Sequence, residues 1–221
     1  MQSDRFADRH EAGRALGREL QRKLGSRGDI IVLALPRGGV PVAFHVAEAL
    51  GAPLDVFIVR KLGVPGHEEL AMGAIASGGV RVLNQDVLRY IPVPQAKIDE
   101  VAASEQRELE RREKSYRGSR PPLNVKGRTV IVVDDGLATG STMRAAVRAL
   151  RAMGPAAVIV AVPVAARQTC SEFKAEVDDI VCLRTPEPFD AVGLWYRDFS
   201  QTGDEEVHEL LDRANAASEN K

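Results

Sequence analysis

The sequence predicts a doubly wound α/β domain, with a twisted, mainly parallel sheet and helices on both faces. Five short apolar runs lack the alternation of half-buried strands, which is typical of strands covered on both sides. These runs are residues 30–35, 54–59, 129–134, 156–164 and 179–183. Helical segments at 40–50, 141–153 and about 165–176 separate several of them. Strands that alternate with helices in this way favour a parallel sheet.

An amphipathic helix is expected before the first strand. Residues 4–24 carry arginines and glutamates on most of the helical surface, and Ser3 or Asp4 is the expected N-cap. The apolar face of this predicted helix consists of Phe6, Gly13, Leu16, Leu20 and Leu24.

The stretch between the second and third runs departs from the alternating pattern. "MGAIASGGVRVLN" predicts a hairpin around Gly78 and Gly79. The charged segment 94–117 then predicts an exposed helix, which is a helical insertion in the domain. Its charges indicate either a solvated face or an arm that packs on a second subunit or reaches a neighbouring site with Arg111 or Arg112.

Composition limits the function classes. The 221 residues suffice for a single domain, with a core at about 28–185 and a hood and tail at about 186–221. A net charge of -1 and 5% aromatic residues argue against nucleic acid as a partner. The sequence has neither an apolar run of membrane length nor a secretion signal, so a cytoplasmic protein is expected. Cys170 and Cys182 have the spacing of neither a zinc site nor a redox pair, and are expected to be reduced and buried.

The stretch "VIVVDDGLATGSTM", residues 130–143, carries the strongest chemical signal. Asp134 and Asp135 follow a buried strand at the sheet edge where α/β proteins bind ligands. The small residues 136–140 allow backbone N–H groups to approach an anion, and the next helix begins with unpaired amides. Carboxylates accept hydrogen bonds from a diol but repel phosphate. The two halves of the stretch therefore predict a sugar phosphate as the ligand.

Other interpretations of this stretch fit less well. A Walker-type loop is excluded because Gly136 and Gly140 are one residue too close and Ser141 stands at the lysine position. No G-x-G-x-x-G follows a predicted strand, so a dinucleotide-binding fold lacks support. An ordinary tight turn remains as the alternative, which the acidic pair and the Thr-Gly-Ser-Thr helix start disfavour.

Residues 130–142 closely resemble the 5-phosphoribosyl diphosphate (PRPP) binding motif of type I phosphoribosyltransferases, with a hydrophobic strand, an acidic pair and a small-residue loop containing Thr-Gly. The resemblance covers about residues 28–200 and implies the type I phosphoribosyltransferase fold, with 94–117 as a departure from the minimal pattern. It implies that Asp134 and Asp135 bind the ribose hydroxyls. The implied 5′-phosphate ligands are Ala138, Thr139, Gly140, Ser141 and Thr142.

A pyrophosphate site is expected after the first strand, in "LPRGGVPVA". Arg37 supplies a cation there, while Gly38 and Gly39 permit close approach of the backbone. The resembled family has its pyrophosphate loop at this place, often with a cis peptide, and the bond between Arg37 and Gly38 is the predicted one. A glycine turn with a solvated arginine is the alternative.

The segment 59–79, "VRKLGVPGHEELAMGAIASGG", resembles the flexible catalytic loop of the family. Its glycines and proline are expected to make it mobile, so that it closes over the reacting bond. Lys61 would stabilise departing pyrophosphate, and His67, Glu68 or Glu69 would assist proton transfer or contact the metal. An exposed His67 without a role is an equal alternative. The catalytic candidates are Lys61, Arg60, Asp135 and His67.

The acceptor site is expected in "PEPFDAVGLWYRDF", where Phe189 and Trp195 are the candidates. Core packing is the alternative role for these aromatic residues.

The resemblance implies transfer of the 5-phosphoribosyl group of PRPP to a nitrogen acceptor such as a nucleobase, with release of pyrophosphate. The transition state would be oxocarbenium-like. Mg²⁺ would be held mainly by PRPP, with help from Asp134 and Asp135, and a homodimer is expected. A non-catalytic regulator that binds PRPP or nucleotides on the same fold is the alternative. A PRPP synthetase-like kinase would need an ATP site and a longer, two-lobed chain.

Overall fold

The computed structural model describes residues 5–25 and 27–219, and its central element is a five-stranded parallel sheet. The strands are β1 (Ile30–Ala34), β2 (Leu54–Val56), β3 (Val59–Val64), β4 (His67–Ala76), β5 (Val80–Leu83), β6 (Thr129–Val133), β7 (Ala157–Val164) and β8 (Asp179–Arg184). The helices are α1 (Arg9–Leu24), α2 (Gly39–Leu50), α3 (Gln85–Tyr90), α4 (Gln95–Arg117), α5 (Ser141–Ala152), α6 (Arg167–Phe173) and α7 (Asp204–Glu219). A short 3-10 helix spans Val192–Trp195.

The central sheet has the order β2-β1-β6-β7-β8, and all its strand pairs are parallel. All residues of β1 and β6 are buried, because their unbroken aliphatic runs are covered on both faces. Side chains alternate between the faces: Val32 joins the core under α1, α2 and α7, whereas Leu33 joins the core under α5 and α6. The predicted α/β architecture is confirmed.

Helix α1 begins later than the sequence predicts. Asp8 is its N-cap and accepts a hydrogen bond from the backbone N–H of Glu11 at 2.7 Å. The N-caps predicted at Ser3 and Asp4 lie outside the described residues. Phe6 precedes the helix and forms a parallel bridge with Tyr196, which anchors the N-terminal segment to a distant part of the chain.

The segment predicted to be a mobile loop is regular structure. Strands β3 and β4 form an antiparallel hairpin whose two-residue turn contains Gly66 at φ +82°. The glycine that the sequence indicated as a source of mobility therefore supplies the positive φ of a tight turn. The predicted hairpin around Gly78 and Gly79 is confirmed, and it joins β5 to the same three-stranded antiparallel sheet.

Helix α4 confirms the predicted charged helix, but one of its faces is buried. Ile98 and Leu109 pack into the core, while charged residues cover the outer face. Arg111 and Arg112 both donate to the carboxylate of Glu108, which ties these arginines to their own helix.

The prediction of two reduced, buried cysteines is wrong. Cys170 and Cys182 form a disulfide bond and are half-buried. Cys170 lies on α6, which directly follows β7, and Cys182 lies on β8, which pairs with β7. The fold brings the two thiols together, and their sequence spacing alone gave no sign of it.

Among the helices in the described part of the chain, none has both the length and the apolar character that crossing a membrane requires.

Candidate functional site

Asp134 and Asp135 lie at the carboxyl end of β6, where the parallel strands of the sheet open toward ligands. The backbone N–H of Asp135 donates to Asp134 Oδ1 at 2.9 Å. Burial raises the pKa of the Asp134 carboxyl well above its ordinary value, and the neighbouring Asp135 charge adds to this rise. The remaining acceptor capacity of two adjacent carboxylates suits a ligand with a vicinal diol, which carries two hydrogen-bond donors.

Asp135 receives a cation that the sequence did not indicate. Arg9 Nε donates to Asp135 Oδ2 at 2.8 Å, and the two side chains are only 11% and 16% exposed. Burial raises the pKa of Asp135, whereas the Arg9 charge opposes that rise. The Tyr196 hydroxyl donates to the backbone carbonyl of Asp135 at 2.6 Å. Arg9 is 126 positions upstream of Asp135, so no local motif could have revealed it.

The loop between β1 and α2 packs directly against the acidic pair. A Cβ on Gly38 would lie 2.1 Å from Asp135 Oδ2, and a Cβ on Gly39 would lie 2.7 Å from the carbonyl oxygen of Val133. Only glycine allows this approach. Arg37, at the same loop, places Nη1 3.7 Å from Asp204 Oδ1 at the start of α7. The predicted pyrophosphate residues and the predicted diol residues are therefore neighbours.

The predicted position of the cis peptide is wrong by one residue. The cis bond joins Pro36 to Arg37, not Arg37 to Gly38. The carbonyl of Arg37 already accepts from the N–H of Val40 at 3.0 Å, so the peptide between Arg37 and Gly38 belongs to the first turn of α2. Gly38 itself has helical dihedral angles.

Residues 136–140 are the loop predicted to bind phosphate, called the phosphate loop below, and side chains from other elements hold it by its carbonyl groups. Thr169 Oγ1 donates to the carbonyl of Ala138 at 2.6 Å, and Arg144 Nη1 donates to the carbonyl of Thr139 at 2.7 Å. Gly140 adopts φ +73° immediately before α5. In each peptide unit the N–H points in the direction opposite to the C=O. The N–H groups of Thr139 and Gly140, which follow these two carbonyls, therefore point away from Thr169 and Arg144. Amides beside a helix N-terminus are a common arrangement for binding an anion, which is the role that the sequence predicts for this loop.

The remaining predicted phosphate ligands lie beside this loop. Ser141 and Thr142 are exposed on the first turn of α5. The sequence did not identify Arg144 as a support for the loop, although its place on the first turn of α5 could have suggested it. Arg144 also pairs with Glu172 at 2.6 Å and Glu176 at 2.8 Å, so the loop is tied to the α6 region.

The two cations of β3 point in different directions. Lys61 Nζ lies 3.4 Å from Ser141 Oγ, which places this ammonium group beside the phosphate loop. Arg60 Nε instead donates to Glu105 Oε2 of α4 at 2.6 Å. Alternation of side chains along a strand explains the difference, since neighbours face opposite sides. The structure brings Lys61 to the candidate site and directs Arg60 to a helix.

The other residues predicted on this segment lie toward the tip of the hairpin. His67 is exposed at the start of β4, and among the described residues no contact connects it to the aspartates or the phosphate loop. Glu68 Oε1 accepts from the N–H of Gly66 at 3.2 Å, a bond within the turn. Glu69 lines a cavity of about 460 Å³ between the hairpin and α5, together with Lys61.

The two aromatic acceptor candidates pack into a small cluster. Phe189 and Trp195 are half-buried against Phe6 and Tyr196, which agrees with the alternative of core packing. Val192, from the same segment, lies over the phosphate loop, because a Cβ on Gly136 would be 2.4 Å from Val192 Cγ1. The segment therefore covers the site mainly with an aliphatic side chain.

The donors at the site suit a magnesium ion that takes most of its ligands from a substrate. In residues 5–25 and 27–219, no group of three or more His, Cys, Asp or Glu side chains is arranged to hold a metal. The available carboxylates are Asp134 and Asp135, and one oxygen of Asp135 is already bonded to Arg9. Mg²⁺ commonly binds one or two carboxylates together with phosphate oxygens.

Comparison with known proteins identifies the family to which this chain is similar. The family model described as "Phosphoribosyl transferase domain" matches residues 2–193. Two proteins of Mycobacterium tuberculosis, each named "Putative phosphoribosyl transferase", are 49% identical over 210 residues, which is 95% of this chain and 47% of theirs. The chain thus spans about half the length of these curated relatives.

Two further proteins are similar over different shares of the chain. The crystal structure of TT1426 from Thermus thermophilus is 44% identical with a TM-score of 0.84, and the match covers 94% of this chain and 97% of that one. The "Bifunctional protein PyrR" of Chloroflexus aurantiacus is 34% identical over 136 residues, which is 57% of this chain and 65% of that protein.

Proposed function

Because the chain belongs to the phosphoribosyl transferase domain family, we propose that it transfers the 5-phosphoribosyl group of PRPP to a small nitrogen acceptor and releases pyrophosphate. The main support is one juxtaposition: the acidic pair after β6 touches the glycine loop after β1 and continues directly into the phosphate loop. A diol site and two anion sites so arranged match the three parts of PRPP.

In the proposed mechanism the protein grips the ligand at both ends. Asp134 and Asp135 accept hydrogen bonds from the ribose hydroxyls, and the amides of the phosphate loop bind the 5′-phosphate. Arg37 and the amides at Gly38 and Gly39 receive the pyrophosphate. Orientation of this kind supplies about 7–11 kcal/mol toward a reaction barrier. No covalent intermediate with the protein is required.

Lys61 is the proposed cation for the developing negative charge. Its ammonium group lies beside Ser141 and is carried by a regular hairpin rather than by a loop. As the anomeric bond breaks, positive charge builds on the ribose ring and negative charge on the leaving group. A bound Mg²⁺ would neutralise pyrophosphate oxygens, and Asp134 with Asp135 are the residues that would help to hold it. His67 and Arg60 have no part in this proposal, since neither contacts these groups.

The acceptor enters the proposal only by its chemical class. A nitrogen nucleophile is required by the reaction type, and a nucleobase is the class to test first.

The experiment combines a panel of nucleobases with PRPP and Mg²⁺ and measures pyrophosphate release. We expect release with at least one base. Asp134→Asn and Asp135→Asn should each weaken PRPP binding roughly tenfold or more, the scale of a lost hydrogen bond to a charged group. Asp86→Asn is the matched control, because this carboxylate is 83% exposed on α3.

Three outcomes separate the alternatives. Unchanged PRPP affinity in both aspartate variants, measured by calorimetry, would overturn the diol assignment. PRPP binding without pyrophosphate release from any base would favour a regulator that binds PRPP. An unmodified protein that binds no PRPP would remove the proposal altogether.

A further inference from the structure

Arg9 is the first residue of α1, and its guanidinium lies inside the candidate site. Its Nε is 2.8 Å from Asp135 Oδ2, and both side chains are almost enclosed. An ion pair in such an environment is formed at a desolvation cost, and removal of one partner leaves the other as an unpaired buried charge. The position of Arg9 therefore bears directly on the position of Asp135.

The guanidinium is itself fixed from two other sides. Arg9 Nη1 donates to the carbonyl of Ser200 at 2.7 Å, and the guanidinium carbon lies 3.9 Å from the centre of the Phe199 ring. Stacking on an aromatic ring and a fork of donors hold an arginine in one orientation better than they would hold a lysine. Arg9 is thus a rigid support and not a solvated side chain.

Residues 6–7 and residues 195–198 are joined by backbone hydrogen bonds next to Arg9, and are called the paired terminal segments. The N–H of Phe6 donates to the carbonyl of Trp195 at 2.9 Å, and the N–H of Arg197 donates to the carbonyl of Phe6 at 2.8 Å. The Tyr196 hydroxyl reaches the carbonyl of Asp135 from the same place. The paired terminal segments therefore hold both the side chain and the backbone of Asp135.

The two oxygens of the Asp135 carboxylate have different surroundings. Oδ2 is bonded to Arg9 and lies where a Cβ of residue 38 would be, so Gly38 and Arg9 enclose it. For Oδ1, the contacts found among the described residues include no hydrogen bond from another side chain. Oδ1 is thus the oxygen left for a ribose hydroxyl, while Oδ2 serves as the anchor.

We propose that Arg9 is a positioning residue, which holds Asp135 by Oδ2 and so presents Oδ1 to a ribose hydroxyl. This inference rests on the proposed function, because it assigns Asp135 to the diol. In this role Arg9 acts through Asp135 and not by direct contact with the substrate. It raises the affinity for ligands that carry the diol. The affinity for pyrophosphate by itself depends on other residues.

The test measures the binding of two ligands by calorimetry in the presence of Mg²⁺. Ribose 5-phosphate carries the diol, and inorganic pyrophosphate lacks it. Arg9→Gln should weaken binding of ribose 5-phosphate roughly tenfold or more, with pyrophosphate affinity unchanged, and Arg9→Lys should lose less. Arg18→Gln is the matched control, since Arg18 is exposed on the same helix, and it should change neither affinity.

A second measurement guards against a variant that merely folds badly. Arg9→Ala leaves a space of guanidinium size beside Asp135, so millimolar guanidinium should restore ribose 5-phosphate affinity in Arg9→Ala. The same salt should have no such effect on Arg18→Ala. This rescue cannot come from a general loss of structure.

The possible results are distinct. Equal weakening of both ligands without rescue would mean that Arg9 only supports the fold, and unchanged affinity for ribose 5-phosphate would mean that it does not position Asp135. Either result overturns the inference and leaves the proposed function standing. Failure of the unmodified protein to bind PRPP or ribose 5-phosphate would overturn both.

Discussion

Gly38→Ala is expected to damage the diol-binding end of the candidate site without straining the backbone. Gly38 has φ -59° and ψ -30°, which alanine adopts freely. The glycine is needed for space alone, because a Cβ there would lie 2.1 Å from Asp135 Oδ2. Ordinary contact begins at 3.4 Å, so the carboxylate has to retreat by 3.4 minus 2.1, or about 1.3 Å.

Because the added Cβ would also lie 3.3 Å from Arg9 Nε, a retreat of that size should disturb the 2.8 Å ion pair between Arg9 and Asp135. Overpacking of this kind costs about 1–3 kcal/mol of stability, and for a domain of this size each kcal/mol lowers Tm by about 2–4 °C. Loss of a hydrogen bond between a hydroxyl and a carboxylate costs the ligand about 1.5–3 kcal/mol, which corresponds to roughly ten- to hundredfold in Kd.

Scanning calorimetry and titration with ribose 5-phosphate would measure the two effects. Gly28→Ala is the matched control, because a Cβ at Gly28 meets no atom within 4 Å, and it should behave like the unmodified protein in both assays. A Gly38→Ala protein with unchanged Tm and unchanged affinity would refute the reasoning, since Asp135 would then have room that the structure does not give it.

Two further predictions concern other side chains. Lys61→Ala should lower kcat/KM for PRPP roughly tenfold, whereas Arg60→Ala should leave kcat/KM unchanged and lose about 0.2–1 kcal/mol of stability with its Glu105 partner. Equal effects on kcat/KM would contradict their opposite orientations. The pKa of Tyr116 is raised from 10.0 to about 12, mainly by burial and secondly by the hydrogen bond to Asp204. The folded state therefore holds this proton more tightly, and the resulting stability is complete below pH 10 and lost as pH rises to about 12. Tyr116→Phe should lose less stability over that range in urea titrations, and an unchanged pH dependence would contradict this assignment.

The parts of the fold that could be predicted are those that local sequence patterns determine. Unbroken aliphatic runs indicate doubly covered strands, and β1 and β6 are buried at every residue. The acidic pair and the small-residue loop follow β6 without a gap, so their placement at the sheet edge needed no tertiary information. The glycines after β1 were also found in this way, although their reason proved to be contact with Asp135 and Val133.

The parts that could not be predicted depend on long-range contacts. Arg9 meets Asp135 across 126 positions, and Cys170 meets Cys182 through the pairing of β8 with β7. The hairpin after β2 could not be predicted for a local reason, because glycine serves equally in a mobile loop and in a turn with positive φ. Gly66 adopts the second role. The sequence of the C-terminal segment is ambiguous in a similar way, because its phenyl and indole rings suit both ligand stacking and core packing.

The pairing of residues 6–7 with residues 195–198 has a consequence for the order of folding during synthesis. The sheet strands β1, β2 and β6 can associate once residue 133 has been made, but Arg9 gains its contact with Ser200 only across 191 positions. Chains leave the ribosome from the N-terminus, and distant contacts form last because closing a long loop costs entropy. The candidate site is therefore completed only when almost the whole domain has been made, and a nascent chain would carry a sheet before it carried the complete candidate site.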